Sequence, residues 1–172
     1  MILLELEDFD YAVEFAYALD NLEIDELKFC PMFVFLIDWA YKRKLLDEEL
    51  TECEVFKKNY PQLLTKSISF SEFVLNVLDS KLMDSNFSHK TRKFISDYIE
   101  YDGYTEDLQN IFNIHNMWFL PEDFEKSTEL YNKIDESYSN YLINKKNYPE
   151  LVIFYSPEQL KKERDIFGEE NI

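Results

Sequence analysis

PMFVFLIDWAYKRKL, residues Pro31 to Leu45, is the stretch that decides the fold. Met32 to Ile37 is an unbroken apolar run, and Trp39, Ala40 and Tyr41 follow, so a helix made of these residues has almost no polar side and must be surrounded by other elements. Pro31 suits a first helical turn, where its missing N–H is no loss, and Lys42, Arg43 and Lys44 complement the negative end of the helix dipole. The expectation is a buried helix of about ten to fifteen residues that emerges into solvent at Lys42. Asp38 is its one anomaly. It either looks out through a gap or is buried and needs a partner.

Working outward, Leu6, Phe9, Val13, Ala16 and Tyr17 recur at helical spacing and predict an amphipathic helix that packs on the central one. On the other side, Asp47 caps a second acidic helix with Leu50, Cys53, Val55 and Phe56 inward and Pro61 at its end. Ile68 to Phe70 reads as extended, and Ser69 or Ser71 then caps a helix with Phe73, Val74, Val77, Leu78 and Leu82 inward. A further helix starts near Ser88 and stops at Gly103, and a short one runs from Thr105 through Phe112. Pro121 opens a long helix to about Asn144. Leu151 to Tyr155 reads as a short strand, and Ser156-Pro157-Glu158-Gln159 begins a terminal helix that ends before Gly168. KKNYP occurs at Lys57 to Pro61 and again at Lys145 to Pro149; the flanks do not align, so it is a shared stop signal and not a duplication.

Together these elements predict a mainly α, single-domain bundle spanning 1–172, with seven to eight helices around the Trp39 helix and at most one short strand pair. Only 2 Gly and 5 Pro in 172 residues argue against a turn-rich sheet fold, and 46% hydrophobic residues exclude a disordered acidic tail. Cys30 and Cys53 suggest neither a disulfide framework nor a metal site. The apolar start, Met1 to Leu4, runs at once into Glu5, Glu7 and Asp8, which is not a signal peptide, and no run is long enough to span a membrane. The chain therefore reads as cytoplasmic.

The sequence holds no clear catalytic motif. With two glycines no phosphate-cradling loop can be written, and His89 and His115 stand apart from any metal-ligand spacing. Cys53 with either histidine is a pairing supported by residue type alone, and carboxylate pairs such as Glu100 and Asp102 are inevitable among 35 acids. The expectation is no enzyme, no cofactor, no metal and no small-molecule substrate.

What remains is charge. The net of −17 is concentrated in residues 1 to 56, which hold 15 acidic against 4 basic side chains. Such a field repels nucleic acid and anionic membranes and attracts basic partners. Candidate partner-binding residues are the Tyr and carboxylate cluster around the Gly103 bend (Tyr101, Asp102, Tyr104, Glu106, Asp107), the acidic helix (Glu48, Glu49, Glu52), and Glu122 with Asp123. Tyrosine supplies contact area at low rotamer cost, and carboxylates meet Lys and Arg.

Three stretches carry a family resemblance: FLIDWAYKRKLL at Phe35 to Leu46, ISFSEFVLNVLDSKLMD at Ile68 to Asp84, and PEDFEKSTELYNKIDESYSNYL at Pro121 to Leu142. They resemble small acidic bacterial immunity proteins of polymorphic-toxin and contact-dependent growth inhibition systems. The matching patterns are helix-core patterns and bring no catalytic motif. What the resemblance implies is an antidote that forms a one-to-one heterodimer with a cognate secreted toxin and occludes a basic nuclease groove. A ribonuclease of the EndoU type is the first expectation and a DNase the next. The alternative is a DNA-mimic or anti-restriction protein whose carboxylates imitate phosphates against DNA-binding proteins.

Overall fold

The computed structural model describes residues 1–20 and 24–147. The expected strand at Leu151 to Tyr155, the terminal helix from Ser156 and the end of the second KKNYP lie outside the described residues.

The Trp39 helix is the axis. It is labelled α2 and spans Cys30–Lys42, with every residue from Cys30 to Ala40 buried. Pro31 sits in its first turn, as expected. Its far end closes without glycine: the Lys44 N–H donates to the Tyr41 carbonyl at 3.0 Å and the Leu45 N–H to the Ala40 carbonyl at 2.8 Å, with Lys44 itself left-handed at φ 56°. Around α2 lie α1 (Asp10–Asp20), α3 (Glu48–Glu52), α4 (Glu54–Leu64), α5 (Phe70–Leu78), α6 (His89–Glu100), α7 (Gly103–Phe112) and α8 (Ser127–Asn147). Aromatic rings fill much of the core between them. Phe35 meets Phe70, Phe112 and Phe124, while Trp39 meets Phe94 and Tyr138, with ring centroids 5.3 to 6.2 Å apart.

A two-stranded antiparallel sheet pairs β1 (Ile2–Glu5) with β2 (Lys81–Met83), with Leu4 opposite Leu82. The apolar N-terminal residues are thus a strand, and Leu82 is buried from β2 and not from a helix, because Asp79 and Ser80 both turn left-handed and end α5 at Leu78.

Other boundaries differ for local reasons. Leu6–Phe9 forms a 3-10 turn before α1, and Tyr17 of α1 is exposed. The acidic helix after Asp47 is two helices, because Cys53 is extended (ψ 141°) and its thiol caps α4 by accepting the Phe56 N–H. Val55 of α4 consequently points outward. Pro61 lies inside α4 and not at its end; the bond it forfeits is the one to the Lys57 carbonyl on an exposed turn. Phe70 opens α5 and is not extended, since Ser69 and Glu72 form a reciprocal capping box. Between α6 and α7 the left-handed residue is Asp102, and Gly103 starts α7. Pro121 does not open α8; Ser127 does, with its N–H bonded to the Phe124 carbonyl.

Candidate functional site

Two kinds of polar structure meet at the C-terminal end of α2. The first is interior. Asp38, fully buried, accepts hydrogen bonds from the Tyr60 hydroxyl on Oδ1 at 2.6 Å and from the Tyr131 hydroxyl on Oδ2, and Lys42 Nζ reaches Oδ2 at 2.6 Å. Burial first, and then the Asp38 carboxylate, push both tyrosines far above the usual phenol range. One turn on, the Arg43 guanidinium and the Trp39 indole N–H converge on Asp135 of α8, with Nε and Nη2 each bonded to a carboxylate oxygen. Two more buried aspartates follow the same rule. Asp97 takes Lys93 and the Tyr141 hydroxyl, and Asp107 takes the hydroxyls of Tyr98 and Ser137.

The second is a groove of about 1030 Å³ that opens beside this network. Its base is the end of α2, where Tyr41 is half-exposed and packs at a tilt against the rings of Phe56 and Tyr60. Leu46 forms an antiparallel bridge with Phe87, the Ser88 N–H donates to the Leu45 carbonyl, and the Asp47 N–H to the Asn86 carbonyl. Arg92 clamps this ladder by donating to the Asp47 carboxylate and the Phe87 carbonyl. The antiparallel register sets Lys44 at the same end as His89 and Lys90, while α3 with Glu48, Glu49 and Glu52 leaves from the Asp47 end. Four lysines (Lys42, Lys44, Lys57, Lys90) therefore share the groove with four carboxylates. Lys42 and Lys57 are held by Asp38 and Glu52. Among the described residues, no ion pair within 4 Å involves Lys44, Glu48, Glu49 or Lys90.

The residues singled out from sequence divide accordingly. Glu48, Glu49 and Glu52 line the groove, although beside lysines and not on a uniformly acidic face. Glu122 and Asp123 border a separate cleft of about 340 Å³ together with Lys66 and Glu72. At the α6–α7 corner Tyr101, Asp102 and Glu106 are exposed. Tyr104 and Asp107 are not available to a partner. Tyr104 is buried and donates to the Met32 carbonyl at 2.7 Å, and Asp107 is buried against Tyr98. The signal was present in the spacing, since Tyr104, Asp107, Leu108 and Phe112 recur at helical intervals and form the inward side of α7. Lys44, His89 and Lys90 carried no signal, because the groove joins segments that the sequence separates.

Cys30 is buried, and that burial, with Glu122 and Asp25 nearby, pushes its thiol up to about 12, so it stays protonated. Among the described residues no group of three or more His, Cys, Asp or Glu could hold a metal, and no helix is long and apolar enough to cross a membrane.

The sequence model of one family, described as a domain of unknown function (DUF7832), matches residues 20–119. No curated protein and no solved structure matches the chain.

Proposed function

From the premise that the chain belongs to the DUF7832 family, we propose that it is an immunity-type protein that binds a cognate secreted toxin one-to-one inside the cytoplasm and neutralises it. The toxin in this reading is a nuclease with a basic substrate groove, a ribonuclease before a DNase. The role is binding, not catalysis.

The observation that supports the reading is how the charge is divided. Interior carboxylates are consumed by tyrosines, lysines and Arg43, whereas a large part of the −17 remains on exposed side chains such as Glu48, Glu49, Glu100, Asp102, Glu106 and Glu122. A fold that fixes its interior this firmly loses little conformational freedom on binding, and an acidic exterior steers a cationic partner toward it. Tyr101, 58% exposed between Glu100 and Asp102, is the best placed aromatic anchor.

The test is co-expression with the product of the adjoining gene, followed by a nuclease assay on the purified pair. Suppression of activity at a one-to-one ratio is expected. Tight binding that leaves the nuclease fully active would end the occlusion mechanism, and no binding would end the reading.

A further inference from the structure

The groove at the end of α2 is the wrong shape, electrically, for a simple acid-meets-base contact. A uniformly basic segment laid along it would meet Glu48 and Glu49 but also Lys44 and Lys90, and a nucleic-acid backbone would meet the same residues with the opposite preference. Its ladder sets Lys44 toward His89 and Lys90 at one end and leads into α3 with Glu48 and Glu49 at the other, and Arg92 ties the two ladder segments together. We propose that this groove takes an extended segment of a protein partner that carries a basic and an acidic side chain in one stretch, the basic one toward Glu48 and Glu49 and the acidic one toward Lys44 and Lys90.

The inference rests on the reading of the chain as a protein-binding inhibitor and adds a division of labour to it. Exposed acids elsewhere attract any cationic protein, whereas a groove with two signs accepts one register and rejects its reverse. Half-exposed Tyr41 in the groove lining offers a packing surface. At about 1030 Å³ the groove is at the upper limit of small-ligand pockets, of roughly 300–1000 Å³, and suits several residues of peptide.

The test uses the full chain, isotopically labelled, titrated with three decapeptides on one Gly/Ser frame: four lysines, four glutamates, or two lysines followed by two glutamates. The mixed peptide is expected to shift the backbone amides of residues 44–52 and 88–90 and to bind there about tenfold more tightly than either single-sign peptide. Lys44→Glu with Lys90→Glu, and separately Glu48→Lys with Glu49→Lys, should each abolish that preference. All four sites are exposed, so the variants should fold with urea midpoints close to that of wild type, and the loss is then one of recognition and not of folding. The proposal is overturned if the lysine peptide binds the groove as well as the mixed one, if Lys44→Glu with Lys90→Glu tightens it, or if no peptide moves these amides. None of these outcomes depends on the nuclease assay, so failure here with neutralisation intact moves the contact to another face and leaves the antidote reading standing.

Discussion

Asp38 and Glu48 belong to neighbouring elements and to opposite physical regimes. Around Asp38 every charged or polar atom has been given a partner by the fold: two tyrosine hydroxyls and one lysine. Around Glu48, one groove holds both signs of charge, and Lys44, Glu49 and Lys90 stay outside ion-pair distance among the described residues. Burial explains the difference. An ionised group removed from water is tolerated only when it is paired and hydrogen-bonded, while an exposed one costs little to leave open. The α2–α8 seam is therefore where this chain specifies its structure, and the groove is where, among the described residues, it leaves charges outside ion-pair distance.

The strongest way to break that contrast is to attack the seam. Asp38→Ala removes the acceptor from Tyr60 and Tyr131 and the counter-charge from Lys42, and should lower unfolding free energy by about 3–5 kcal/mol in urea titrations. Tyr131→Phe keeps the carboxylate and one tyrosine bond and should lose about 1.5–3 kcal/mol, which preserves the test if the alanine variant does not fold. Unchanged midpoints in both would mean that the seam is as indifferent as the groove.

Acid sharpens the contrast among the paired carboxylates themselves. Burial would raise the Asp135 pKa, but hydrogen bonds from Arg43 and Trp39, with the Arg43 charge, together hold it below the ordinary carboxylate range. A folded pKa below the unfolded one gives stability that is present above about pH 4 and lost as pH falls through the folded value. The margin of wild type over Asp135→Asn should shrink on acidification. Its size is at most about 1 kcal/mol, because the Asp135 side chain is 43% exposed and screened. Asp107 has the opposite sign. Burial raises its pKa, against the hydrogen bonds from Tyr98 and Ser137, so protonation favours the folded state and wild type should gain on Asp107→Asn as pH falls from the folded value to the unfolded one. Urea midpoints across pH 3 to 7, taken for about a decade on each side of the carboxylate range, separate the two slopes.

Much of the fold was legible because it is written in periodicity. The burial of α2 follows from a run with no polar face, and of the two serines that could cap α5 it is Ser69 that does so. Asp38 was legible as a problem, since it interrupts that run; Lys42 is a local partner one turn on, but the two tyrosines lie 22 and 93 residues away, and pairing across such distances leaves no local trace. The low glycine count also misled. Left-handed turns at Lys66 and Asp79 are made without glycine, so the ends of α4 and α5 fell where no glycine marked them, whereas the expected stops at Gly103 and Phe112 lie within three residues of the observed ends of α6 and α7. The groove was half visible: its acidic helix could be read, whereas Lys44 and Lys90 join it only through the ladder of Leu45 to Asp47 on Asn86 to Ser88.

Lys44 is the residue in which the two regimes meet, and it gives the smallest and most discriminating effect. It occupies the left-handed position that closes α2, where a side chain bearing Cβ costs roughly 1–2 kcal/mol that glycine would not. Glycine in turn loses about 0.5–1 kcal/mol more chain entropy on folding, so Lys44→Gly should raise stability by only about 0.5–1 kcal/mol. The strain by itself says nothing about function, because the same chain tolerates it at Lys66 and Asn113. What decides is the second readout. If Lys44→Gly stabilises the protein and also weakens the mixed-charge peptide, the lysine serves the groove against the interest of the fold. If it stabilises the protein and leaves peptide binding unchanged, Lys44 is merely another glycine-free helix end, and the cationic end of the groove reduces to Lys90.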